Sequence, residues 1–125
     1  MPDLGLGTAL RKLRERRTLS LREMSQLSEV DHTYVHRLET GEKTNPSVEL
    51  VSKLLKVLKT SEREASIVKW LIDHPDANPE LVEFGLDDDT VTLEEFSMAA
   101  GSRHRGVRLG PAKLIDQVRR VLNGE

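Results

Sequence analysis

The chain has no cysteine, and its 125 residues include only four aromatic side chains: Tyr34, Trp70, Phe84 and Phe96. Without cysteine there can be no disulfide, no thiolate metal site and no cysteine nucleophile. With so few aromatics, a core has to be built from Leu, Val and Ile. No apolar run approaches the roughly 18 residues that a membrane span needs. The first residues, MPDLGLGTAL, lack the charged start and apolar stretch of a signal peptide. A cytoplasmic protein without a membrane partner is expected. Sustained two-residue alternation of β-branched residues, the mark of a strand, is also missing.

Catalytic patterns are scarce as well. No glycine-rich phosphate loop precedes a helix, and no Ser–His–Asp order can be argued from the four histidines. The run Asp87–Asp88–Asp89 lacks the glycine and distal glutamate of a calcium loop. Glu94 and Glu95 are adjacent and point apart on a helix. Neither an enzyme nor a cofactor is expected. His32 and His36 stand at the i, i+4 spacing of zinc ligands, but Thr33 occupies the position where a metallopeptidase motif has glutamate. No metal is expected there.

Charge is present in quantity and is unevenly placed. The net charge is −2, yet residues 1–60 carry +3, residues 61–100 carry −9 and residues 101–125 carry +4. A basic front, an acidic middle and a basic end suggest separate tasks.

The remaining pattern is helical throughout. A first helix over about 6–17 places Leu6, Ala9, Leu10 and Leu13 on one face. Ser20 with Glu23 three residues on is a capping box that opens a second helix, reaching about Ser28. After the short turn Glu29–Val30–Asp31, a third helix is capped by Asp31 and stopped by Gly41. Ser47 opens a fourth, with Val48, Val51, Leu54, Leu55 and Leu58 at a 3.6-residue period. Thr60 or Ser61 caps a fifth, striped by Ile67, Val68, Leu71 and Ile72. Asn78–Pro79 opens a short helix over about 79–84, and Thr92 caps another over about 93–100. Pro111 opens the last, with Leu114, Ile115, Val118, Val121 and Leu122 expected to face inward.

A joint of three residues cannot bring the second and third helices antiparallel; they must cross steeply, as in a helix-turn-helix. The stretch LSLREMSQLSEVDHTYVHRLETGEKTNPSVELVSKLLKVL resembles the Cro/cI-type (XRE) helix-turn-helix family. The resemblance rests on buried positions Leu19 and Met24, small Ser25, a hydrophobe at Val30 and inward Val35 and Leu38. It closes on Glu39, Gly41, a basic loop and Pro46–Ser47. Two positions depart from the pattern. Glu29 stands where the turn usually has glycine, and Leu21 where helix two often has a polar phosphate contact. A positive φ at Glu29 would cost up to about 1–2 kcal/mol.

The resemblance implies an all-α, lambda-repressor-like DNA-binding domain over residues 1–73. A small helical dimerisation or regulatory region follows over 74–125. It implies base contacts from His32, Thr33, His36 and Arg37, which share one face of the third helix. Phosphate contacts would come from Ser20, Leu21, Tyr34, Lys43, Thr44 and Asn45. Arg14 and Glu39 would form a structural ion pair. If the histidines face DNA, binding should tighten when they protonate.

The implied function is a homodimeric, sequence-specific regulator of a pseudo-palindromic operator, acting as a repressor. The alternative is an antitoxin or partner-binding regulator whose C-terminal region meets a protein, including a metallopeptidase that cleaves it. Cleavage would fall in the basic linker GSRHRGVRLG, at Arg103, Arg105, Gly106, Arg108 and Leu109.

Overall fold

The computed structural model describes residues 4–101 and 109–124, which form eight α-helices and no strand. Of the linker positions, Arg103, Arg105, Gly106 and Arg108 lie outside the described residues, while Leu109 is half-buried just before the last helix. The helices are α1 (Gly5–Arg16), α2 (Leu21–Ser28), α3 (His32–Thr40), α4 (Val48–Leu58), α5 (Glu62–Asp73), α6 (Pro79–Asp87), α7 (Leu93–Gly101) and α8 (Pro111–Leu122).

Their starts are set by side chains that satisfy the free amides of the first turn. Ser20 and Ser61 each form a full capping box, with Glu23 and Glu64 respectively. Asp31, Ser47 and Asn78 accept amide hydrogen bonds at the starts of α3, α4 and α6. Thr92 and Glu95 exchange the same pair of bonds at α7. Between Thr60 and Ser61, it is therefore Ser61 that caps α5.

α1 lies at the centre, in contact with α3, α5 and α6. α2 packs on α3 and α4; α7 bridges α5 and α8. One aliphatic core runs through both halves, from Leu6 and Leu10 through Val35, Leu54 and Leu71 to Leu81, Phe96 and Ile115. Phe96 is fully buried, with Trp70 edge-on at 5.5 Å. Two arginines seal the seam. Arg63 of α5 donates to the carbonyls of Gly85, Leu86 and Val91. Arg16 of α1 donates to the carbonyl of Leu86 and to the carboxylates of Glu64 and Asp87. The free carbonyls at the end of α6 are thereby satisfied from two neighbouring helices.

Several sequence expectations need correction. α6 continues three residues past 84, to Asp87. Val121 and Leu122 face outward, 65% and 40% exposed, because α8 sits on the core through Ile115 and Val118 alone, with Leu114 half-buried against it. Val48 is also exposed, since it is the first residue of α4 and projects beyond the packed stripe. Leu19 is half-buried rather than buried, packing at the edge of the core.

Candidate nucleic-acid interface

The site begins with α3, whose residues divide cleanly between two faces. Val35, Leu38 and Glu39 are buried; His32, Thr33, His36 and Arg37 are exposed side by side on the outer face. Tyr34 is half-buried against the core, at the margin between the two faces. All four outer side chains carry hydrogen-bonding groups. Arg37 has one partner nearby: its Nε lies 3.8 Å from a carboxylate oxygen of Glu42. Both side chains are about half exposed, so the attraction is weak.

α3 is held against α1 by a buried ion pair. Glu39, only 5% exposed, accepts from Arg14 Nε at 2.7 Å and from a second guanidinium nitrogen at 2.9 Å. The third nitrogen donates to the carbonyl of Leu19 at 2.8 Å, just ahead of α2. One guanidinium thus ties α1, the start of α2 and the end of α3. The hydrogen bond to Glu39 raises the Arg14 pKa against the opposing effect of burial. Close approach at the same crossing requires glycine. A Cβ on Gly7 would lie 2.7 Å from the Leu38 carbonyl oxygen and closer still to that of Glu39.

At the turn, a residue other than glycine takes the left-handed conformation. Glu29 is left-handed, with φ 63° and ψ 21°, and its N–H donates to the Ser25 carbonyl. The buried Ser28 hydroxyl donates to the Met24 carbonyl at 2.7 Å and accepts from the Val30 N–H at 3.2 Å. It closes the turn from inside while Val30 fills the core. Ser28 was not singled out by the sequence reading. Its only signal is a small hydroxyl residue at the end of a helix, two positions before a buried hydrophobe.

At the start of α2, Ser20 Oγ accepts from the Glu23 N–H and the Glu23 carboxylate accepts from the Ser20 N–H. These hydrogen bonds, the Ser20 amide first, hold the Glu23 carboxyl below its ordinary pKa. The first two helical amides, of Leu21 and Arg22, keep no acceptor within the helix. Leu21 is half-buried with its side chain against the core, so only its N–H remains for a phosphate. Beyond α3, Lys43, Thr44 and Asn45 are all exposed, and Asn45 is left-handed at φ 58°. Buried Pro46 and the Ser47 cap anchor this loop to α4.

The outer face of α3, the free α2 amides and the 43–45 loop are therefore all solvent-accessible positions on or flanking the α2–turn–α3 unit. Among the described residues, no three His, Asp or Glu side chains cluster so as to hold a metal. No described helix is long and apolar enough to cross a membrane.

Comparison with protein families matches residues 5–66 to the family described as a helix-turn-helix domain, in agreement with the XRE-type resemblance. The matched stretch runs from the start of α1 into α5. Comparison with curated proteins finds no match.

Proposed function

Because residues 5–66 are a helix-turn-helix domain, the type of domain found in DNA-binding regulators, we propose that the protein is a homodimeric, sequence-specific repressor. It acts by occupying a pseudo-palindromic operator. The observation that carries this reading is the division of α3. Every side chain on its outer face bears hydrogen-bonding groups and is exposed, while the inner face is locked by Val35, Leu38 and the Arg14–Glu39 pair. His32, Thr33, His36 and Arg37 read base edges in the major groove. Ser20, the Leu21 amide, Tyr34, Lys43, Thr44 and Asn45 position the domain on phosphates.

A palindrome calls for two copies with reading helices about 34 Å apart. The outward pair Val121 and Leu122 on α8 supports a second copy docking through the C-terminal region, since burying that pair would remove apolar area from water.

A partner-neutralising role, as in an antitoxin, is the competing reading. It is favoured by the exposed carboxylates of Glu62, Asp73, Asp76, Glu80, Glu83 and Glu94, none of which makes an ion pair among the described residues. The test is a titration against the DNA upstream of the protein's own gene, with excess non-specific competitor, at two salt concentrations. The repressor reading requires competitor-resistant, salt-sensitive binding and a footprint of two half-sites one helical turn apart. Binding abolished by competitor, with co-purification of an adjacent gene's product, would replace it with the antitoxin reading.

A further inference from the structure

Away from the reading face, the last turn of α2 and the outer side of α4 enclose an open groove with an unusual lining. Its floor is apolar: Leu27 is 63% exposed, and Val57 is half-buried beside it. Its rim is basic: Arg17, Lys53, Lys56 and Lys59 are all exposed. None of these four makes an ion pair among the described residues. Glu29 is the single carboxylate in the lining, and it is unpaired too.

A lone exposed leucine would mean nothing. The combination does. Lys53 and Lys56 stand three residues apart on one face of α4, where like charges repel. The α4 dipole favours Lys56 and Lys59 near its C-terminal end. Arg17, the C-cap of α1, has the same support from its own helix, but Lys53, in the middle of α4, has none. Four unpaired cations around exposed apolar surface match a ligand with an apolar ridge flanked by carboxylates.

We infer that this groove docks an acidic amphipathic helix of a protein partner. This surface is separate from the C-terminal one invoked for dimerisation.

Two other occupants fit less well. DNA would meet Leu27 and Val57 with phosphates, which leaves the floor unsatisfied. Leu27 also lies about 9 Å along α2 from the free amides at its N-terminal end, at 1.5 Å per residue. None of the four reading-face residues lines the groove. Among the described residues a second copy of this chain offers no suitable ridge: Val48 and Met98 are exposed but stand singly on their helices. Its acidic helices turn Ile67, Val68, Leu71, Leu81, Val82 and Phe96 into their own core. Its exposed apolar pair, Val121 and Leu122, sits beside Arg119 and Arg120, whose charge matches the rim in sign.

The test uses the full chain and a synthetic peptide of about five helical turns, long enough to hold a helix. The peptide carries leucines at i, i+3, i+4 and i+7 with glutamates on both flanks. Two controls are a lysine-flanked version and a scrambled isomer of the same composition. Amide chemical shifts are followed by NMR, and affinity by fluorescence anisotropy. The acidic peptide should bind with shifts centred on Leu27, Lys56, Val57 and Lys59, weakening with salt, and neither control should bind. Leu27→Glu and Lys56→Glu should each weaken binding about tenfold or more, the range of a hot-spot residue. Both positions are exposed, so unchanged thermal melts would verify folding. The inference is overturned if the scrambled isomer binds equally or the acidic peptide fails to bind. It is also overturned if Leu27→Glu abolishes self-association, which makes the groove a copy–copy interface. Equal loss of DNA and peptide affinity in Lys56→Glu would make it a phosphate contact instead.

Discussion

At the scale of single residues, Arg37 shows how magnitudes choose between roles. Its ion pair with Glu42 is long and half exposed, and such pairs contribute about 0–1 kcal/mol. A bidentate contact to the O6 and N7 of guanine is worth about 1–3 kcal/mol. In the proposed complex, guanine should therefore displace Glu42. Arg37→Ala should cost about 1–3 kcal/mol of operator affinity and relax preference at one base pair, with no change in melting temperature. Competition assays against operators substituted one position at a time would check this. Uniform loss over all sequences would reassign Arg37 to a phosphate.

Glu29 offers a second test at this scale. Its left-handed backbone costs an L-residue about 1–2 kcal/mol, against about 0.5–1 kcal/mol of extra chain entropy lost by glycine. Glu29→Gly should thus stabilise the fold by up to about 1.5 kcal/mol, read from the urea midpoint. The place of the turn was legible in the motif, but the left-handed backbone at Glu29 was left open, because a residue other than glycine stands there. The Ser28 hydroxyl that closes the turn was not legible, because its partner, the Val30 amide, is brought back to it only by that turn.

At the scale of elements, the Arg14 guanidinium governs how α3 is set against α1 and α2. Arg14→Ala would leave Glu39 buried without its cation and free the Leu19 carbonyl. Breaking a buried pair in this way costs about 3–5 kcal/mol. We expect a loss of that size in denaturant unfolding, together with weaker DNA binding. A variant that keeps full stability would show that water reaches Glu39.

Most elements were readable because caps and stripes are local. Ser20, Asp31, Ser47 and Asn78 all start helices where the side-chain chemistry says they should. Two features were not local. α6 runs through Gly85, which looks like a stopping residue but is needed for contact: a Cβ there would lie 2.9 Å from the Phe96 ring. The stripe of α8 has the expected period, but period does not reveal depth. Only Ile115 and Val118 are fully buried. For the candidate site, the outward set on α3 follows from helical spacing. The tether of Arg37 to Glu42 depends on how the chain leaves Gly41, which spacing does not encode.

At the scale of the molecule, ion pairs tie helices that are distant in sequence, and those to Asp87 join the two halves. Lys12 and Arg16 of α1 meet Asp87 at the end of α6, and Arg16 also meets Glu64 of α5. Arg119 of α8 holds Glu95 of α7. Burial pushes the pKa of Glu64, Asp87 and Glu95 upward. The hydrogen bonds they accept, from Ser61 and Arg16, from Lys12 and Arg16, and from Arg119 and Thr92, outweigh it and leave all three lowered. A carboxylate lowered on folding contributes stability that is complete above its ordinary pKa and is lost as pH falls through the lower folded value. The melting temperature should therefore hold from pH 7 to about 5 and drop below about 4. Arg16→Gln should flatten that drop, since Glu64 loses its cation and Asp87 loses one of its two, keeping Lys12; an unchanged pH profile would mean that the Arg16 pairs add no stability on folding.

The seam between α1 and α6 also bears on how the chain is made. The Arg16 side chain meets the Leu86 carbonyl across 70 residues of sequence. At about 5–20 residues per second of synthesis, α1 leaves the ribosome about 4–14 s before α6 can cover it. Throughout that interval the nascent chain presents the α1 flank around Gly5, where Val82 will pack, to whatever chaperone or neighbouring nascent chain is present. The sixth helix to emerge is thus the one that ends the exposure of this flank of the first.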